Sequence, residues 1–220
     1  MIRRWIATLA FAGLVGTGPV HAGWVAPFIS EIHYDNAGVD RDEFVAVAGP
    51  AGWDLNGWQL AFYNGANGGI YRSLAIDGVL PGDPGRLGEG YWAVTGIQNG
   101  PDAVALLSPQ DMVVDFVAYE AAVSAFEGPA AGLQARLLPV AEDNTTPAGR
   151  SLQRQGTPET WSWSLAEMTP GRVNGGLEEV DSGTIPEPAG AVVLWIAGGI
   201  AWSLLTGGRR WSPRIGRRVA

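Results

Sequence analysis

Between Phe28 and Asn174 the chain is cut into short pieces by glycine, asparagine, aspartate and proline. With 32 Gly and 15 Pro in 220 residues, turns are frequent and no long amphipathic helix fits. The runs left between them have strand length. They cover residues 28–34, 43–48, 58–63, 70–76, 91–95, 104–107 and 113–119, with a weaker one at 161–164. Several alternate, as a strand with unlike faces must. In the first, Phe28, Ser30, Ile32 and Tyr34 share one face, and Ile29, Glu31 and His33 the other. Seven or eight such runs predict an all-β fold, an antiparallel β-sandwich. Residues 121–138 are rich in Ala and Gly and predict one helical turn or a long loop.

The sandwich must live on its own core. There is no cysteine, so neither a disulfide framework nor a thiolate zinc site is available. The hydrophobic fraction of 46% is enough for one domain of ordinary size.

Charge divides the chain. All 14 basic residues are Arg, and the net charge is −8. From Gly23 to Ile185 there are 7 Arg against 21 Asp plus Glu, a net −14. An acidic middle argues against nucleic acid as a direct partner, because phosphate contacts need positive charge.

The ends carry targeting signals. Arg3 and Arg4 precede an apolar stretch from Trp5 to Val15, and Val20-His21-Ala22 has the small residues that signal peptidase reads. Residues 1–22 are therefore a predicted signal peptide, cut after Ala22. Residues 189–208 contain no charge. At about 1.5 Å per residue they span roughly 30 Å, the thickness of a bilayer core. Arg209, Arg210, Arg214, Arg217 and Arg218 follow. They predict a cytoplasmic stop-transfer cluster, with the domain on the outside.

Pro186-Glu187-Pro188 stands directly before the apolar stretch. Pro-Glu-Pro, apolar helix and Arg-rich tail, in that order over 186–220, resemble the PEP-CTERM sorting signal of Gram-negative bacteria. The resemblance implies an exosortase-type partner that cuts near the motif. It also implies transient anchorage in the inner membrane through the C-terminal helix, then release to the cell surface or extracellular space.

A second resemblance covers about 145 residues. Its motifs are Ile29-Ser30-Glu31-Ile32-His33-Tyr34-Asp35-Asn36, Asp42-Glu43-Phe44-Val45 and Asp54-Leu55-Asn56-Gly57-Trp58-Gln59-Leu60. They continue through Ile97-Gln98-Asn99-Gly100, Val104-Ala105-Leu106-Leu107 and Phe116-Val117-Ala118-Tyr119-Glu120. Gly149-Arg150-Ser151-Leu152-Gln153, Trp161-Ser162-Trp163 and Thr169-Pro170-Gly171-Arg172-Val173-Asn174 complete the series. In this order they resemble a lamin-tail domain of the bacterial extracellular type, which implies an immunoglobulin-like sandwich over 23–176, with 177–185 as a linker. The chain departs from the family at Ala46, where an acid is usual, and at Ala121, where glycine is usual. Asn56-Gly57 reads as a turn, Trp58 and Leu60 as core, Tyr119 as a corner tyrosine, and Pro170-Gly171 as the end of the last strand.

Catalytic sets are sparse. His33 is the one histidine between Gly23 and Ile185, and there is no Gly-x-Ser-x-Gly elbow, so a Ser-His-Asp site has little to build on. Mid-strand beside Tyr34 and Asp35, His33 reads as a surface or edge residue. No catalytic residue and no cofactor is assigned. Asp35, Asn36, Asp40, Asp42 and Glu43 crowd one loop, and oxygen ligands of that kind suit calcium. The EF-hand spacing is absent, so Asp35, Asp40, Asp42 and Glu43 are calcium candidates only. Asp42 and Glu43 fall on opposite faces if both are in a strand.

The expectation is a non-catalytic, exported adhesion or interaction module with an extracellular protein or polysaccharide as partner. The alternative is an accessory or degenerate subunit of a secreted hydrolase of nuclease or phosphatase type.

Overall fold

The structure is a computed structural model, which describes residues 26–158 and 160–177. The predicted signal peptide, the expected linker from 178 onward and the expected sorting segment lie outside the described residues. Among the described residues no helix is long and apolar enough to cross a membrane; the predicted span at 189–208 is not among them.

Ten strands form: β1 Phe28–His33, β2 Phe44–Pro50, β3 Trp58–Asn64, β4 Ile70–Ile76, β5 Leu87–Ala93, β6 Asp102–Leu107, β7 Val113–Tyr119, β8 Arg136–Leu137, β9 Arg150–Gln155 and β10 Ser162–Glu167. They make two five-stranded sheets, ordered β10-β9-β1-β2-β5 and β4-β3-β6-β7-β8. All pairings are antiparallel except β7 with β8, which is parallel. The second sheet is therefore mixed rather than antiparallel throughout.

One apolar layer joins the sheets. Ile29, Ile32, Val45, Val47 and Leu152 of the first pack with Leu60, Phe62, Val104, Leu106 and Val117 of the second. Each fully buried Ile, Leu or Phe contributes roughly 1.5–3 kcal/mol, so this layer is the main support of the fold. Trp58 and Leu60 are buried in it, as their motif predicts. The Asn56-Gly57 turn also forms, with Gly57 at φ +81°, where glycine carries no steric cost.

Both outer faces are covered. Ala61, Tyr63, Ala103, Ala105 and Ala118 alternate with the core residues of the second sheet, and Val123, Ala125, Ala130 and Ala135 lie on them. The Ala- and Gly-rich stretch is thus an apolar covering loop, and it supplies β8 rather than a helical turn. Small side chains on both sides let the loop approach closely. On the first sheet, Phe28, Ala48 and Leu87 pack against Leu177 and the half-buried Val173. A segment at 169–177 therefore lies back over the outer face of β1, β2 and β5.

β1 departs from simple alternation. Its register with β2 shifts between Ile29 and Glu31, an extra residue of the β-bulge kind. Ile29 and Ile32 therefore both face the shared core, with Tyr34, instead of falling on opposite faces. Glu31 and His33 turn the other way, and both are buried, at 0% and 1% exposure. β5 begins earlier than its apolar pattern suggests. β9 was not among the predicted runs.

Candidate functional site

His33 does not sit at the surface. It lies at the end of β1, closed over by the loop between β8 and β9, which brings in Glu142. The imidazole Nδ1 is 2.9 Å from Glu142 Oε1, and Nε2 is 3.1 Å from the Arg41 carbonyl oxygen. Both neighbours only accept hydrogen bonds, so satisfying them requires both ring nitrogens to donate, which makes the ring an imidazolium. Burial pushes the His33 pKa down, but the hydrogen bond and charge of Glu142 outweigh it, and the net shift is upward.

Glu142 does more than hold His33. Its other oxygen accepts from the backbone amides of Tyr34, at 2.7 Å, and Asp35, at 3.0 Å. The Tyr34 hydroxyl donates to the Glu142 carbonyl at 3.0 Å and accepts from the Glu142 amide at 2.8 Å. One acidic residue thus fastens the β8–β9 loop to the end of β1. The Tyr34 ring stacks on Tyr119, centroids 4.0 Å apart. The Tyr119 hydroxyl donates to the Gln98 carbonyl at 3.0 Å, tying in the loop between β5 and β6. The bond spans 21 positions, so it ties the end of β7 to a distant loop, whereas a corner tyrosine bonds backbone a few residues upstream.

Three of the four calcium candidates, Asp35, Asp40 and Glu43, meet protein partners. Asp35 is buried, and its pKa is pushed up to about 6, first by burial and then by its hydrogen bond and charge contact with Asp40. Asp40 accepts from the Asn36 amide and from Asn99 Nδ2. Asp42 is exposed at φ +60° and precedes β2, so it does not alternate with Glu43 in a strand. Glu43 accepts from the Gly96 amide at 2.7 Å; burial raises its pKa, with backbone hydrogen bonds from Gly96 and Ile97 acting against it. Among the described residues no group of three or more His, Asp or Glu side chains is placed to hold a metal ion. Pro186, Glu187, Pro188 and the five C-terminal arginines lie outside the described residues.

Sequence reasoning missed two further polar clusters. In the first, Glu31 receives Ser151 Oγ, Gln153 Nε2 at 3.1 Å, the Thr169 amide at 2.8 Å and Thr169 Oγ1 at 3.0 Å. Beside it, Ser30 Oγ donates to Glu89 at 2.7 Å. Asn174 bonds the carbonyls of Ser30 and Arg154. Burial first, and the Glu31 charge second among the raising causes, push the Glu89 pKa up to about 8, against the Ser30 hydrogen bond. The only sequence signal was the polar run inside motifs that otherwise read as strand and turn.

The second cluster closes the side between β7–β8 and β9–β10. Arg154 Nη1 is 3.1 Å from Asp115 Oδ2, which also accepts from the Ile29 amide. The Arg154 guanidinium lies 4.1 Å from the Trp161 ring centre, and the exposed Arg136 lies 4.3 Å from the same ring. Guanidinium–indole stacking of this kind fixes the arginine plane.

No family model, no curated protein and no solved structure matches the chain.

Proposed function

We propose that this is an exported protein destined for the cell surface, whose immunoglobulin-like, lamin-tail-like sandwich is a non-catalytic interaction or adhesion module. The observation that carries the reading is the clasp on His33. Both ring nitrogens of His33 are engaged, one by a carboxylate and one by a backbone carbonyl, so neither is placed to take a proton from a substrate. It is also 1% exposed, out of reach of a substrate. The acids around it accept hydrogen bonds from loop backbone, which is the work of a scaffold.

The targeting half of the reading rests on sequence: the apolar stretch behind Arg3 and Arg4, and the Pro-Glu-Pro, apolar, Arg-rich order of 186–220. An exosortase-type enzyme is the processing partner, and the extracellular partner is a protein or a polysaccharide. The experiment is an assay of the purified protein on DNA and on phosphate esters, alongside His33→Ala. No turnover above background in either is expected. Turnover abolished by His33→Ala would replace this reading with the secreted-hydrolase one.

A further inference from the structure

Segment 169–177 is held at its start by the Glu31 carboxylate. Glu31 accepts from Thr169 twice, through its amide at 2.8 Å and its hydroxyl at 3.0 Å. Thr169 Oγ1 also meets Asn174 Oδ1 at 2.9 Å, and Asn174 Nδ2 reaches back to the Ser30 carbonyl at 2.8 Å. Gly171 runs against the Tyr91 ring, where an added Cβ would stand 3.1 Å from the nearest ring carbon. Val173 and Leu177 then rest on Phe28, Ala48 and Leu87. The segment is thus a strap, polar at its start and apolar at its end.

Beneath it, Glu89 on β5 is 2% exposed. One of its oxygens accepts from Ser30, while Oε1 is buried without a hydrogen-bond partner. A buried carboxylate with an unsatisfied oxygen is strongly penalised when charged. The groups that face it are few. From β1 come Ser30 and the second carboxylate, Glu31, which disfavours a charge on Glu89. From the strap comes the backbone amide of Arg172, which favours the charge less than burial opposes it and whose own hydrogen bond goes to the Thr169 carbonyl at 2.9 Å. β2 presents the uncharged Ala48 opposite it. Among the described residues neither Glu31 nor Glu89 is ion-paired to a cation.

We propose that segment 169–177 is a pH-gated strap over the first sheet, closed while Glu89 is protonated and loosened when Glu89 becomes charged beside Glu31. Opening uncovers an apolar strip of Phe28, Ala48 and Leu87 next to two carboxylates, a face unlike anything the closed domain presents. Glu89 stands at about 8 in the closed state against an ordinary 4.5, so opening grows easier as pH climbs between these values and stops changing above the higher one.

The test is hydrogen exchange on the full chain in detergent from about pH 5 to about pH 9.5, a window that takes in most of the linked range and the plateau above it. Rates are corrected for the intrinsic pH dependence of amide exchange. Protection of the Thr169 and Arg172 amides is expected to fall, by at most about tenfold per pH unit, as pH climbs towards the raised Glu89 value of about 8, and to level off above it, as one linked proton requires, while β6 and β7 keep theirs. In Glu89→Gln the fall is absent. In Ser30→Ala, which removes a donor that favours the charged form, the levelling-off moves to higher pH. Wild-type protection that stays flat, that falls equally in Glu89→Gln, or that falls together with β6 and β7 would overturn the proposal. So would a shift of Ser30→Ala to lower pH.

Discussion

Glu142 and His33, 109 positions apart in the chain, meet at 2.9 Å with both side chains almost wholly out of water. Their pairing closes one end of the sandwich. Removing the acid strands the imidazolium and two backbone amides at once. Glu142→Ala is expected to lose about 3–5 kcal/mol, the usual cost of leaving a buried charge without its partner. Urea denaturation checks it. A loss under about 1 kcal/mol, the scale of an exposed pair, would mean that water reaches the clasp in solution.

The clasp also sets a pH dependence. His33 is raised in the folded state, so its contribution is fully present below the ordinary histidine value of about 6.5. It is lost as pH rises through the higher folded value. Glu89 acts in the same direction: its folded value of about 8 stands above its ordinary 4.5, so stability declines as pH climbs between them. Subtracting the melting curves of Glu89→Gln from wild type isolates one contribution, and His33→Gln isolates the other. Each variant is expected to flatten the alkaline decline in its own window. A wild type that grows more stable from pH 5 to 8 would refute both assignments.

The tyrosine pair separates two roles of one ring type. Tyr119→Phe keeps the stack on Tyr34 and loses the bond to the Gln98 carbonyl together with the hydroxyl contact to Tyr71, a cost of about 1 kcal/mol. Tyr34→Phe loses both backbone bonds to Glu142 and leaves buried groups unsatisfied, so its cost is larger, roughly 2–3 kcal/mol. Equal midpoints in chemical denaturation would mean that the Tyr34 hydroxyl does not hold the β8–β9 loop.

Two glycines make a matched steric test. A Cβ on Gly65 would stand 1.6 Å from the Pro101 carbonyl oxygen, whereas Gly175 has nothing within 4 Å. Gly65→Ala must push two loops apart and is expected to cost about 1–3 kcal/mol. Gly175→Ala is expected to be neutral within about 0.5 kcal/mol. Thermal melts of the pair would show whether the 65 and 101 loops pack this closely.

Local pattern found most of the strands, because alternation reports burial on one face and turns report themselves through glycine and asparagine. β3, β4 and β7 stand where the runs predicted them to within one residue. The bulge in β1 was invisible, since the extra residue at Ser30 changes parity without changing composition. β9 was hidden because Ser151, Gln153 and Arg154 are polar yet buried, and a polar strand reads as loop until its partners are known. His33 was misplaced for the same reason. Its burial is secured by Glu142 from a distant loop, and no window around His33 contains that acid. The acidic crowd from Asp35 to Glu43 read as cation ligands because composition does not show partners: Asp40 and Glu43 accept from backbone amides, and Asp35 meets Asp40.

The proposed role depends most on the fate of the two ends, and intact mass reads both at once. The chain would be recovered from cells with and without the exosortase-type enzyme. With the enzyme, the account predicts a product that begins at Gly23 and has lost the apolar and Arg-rich residues after the Pro186-Glu187-Pro188 motif. Without it, the product begins at Gly23 and runs on to Ala220. A chain that ends at Ala220 in both strains, or that still begins at Met1, would contradict the account.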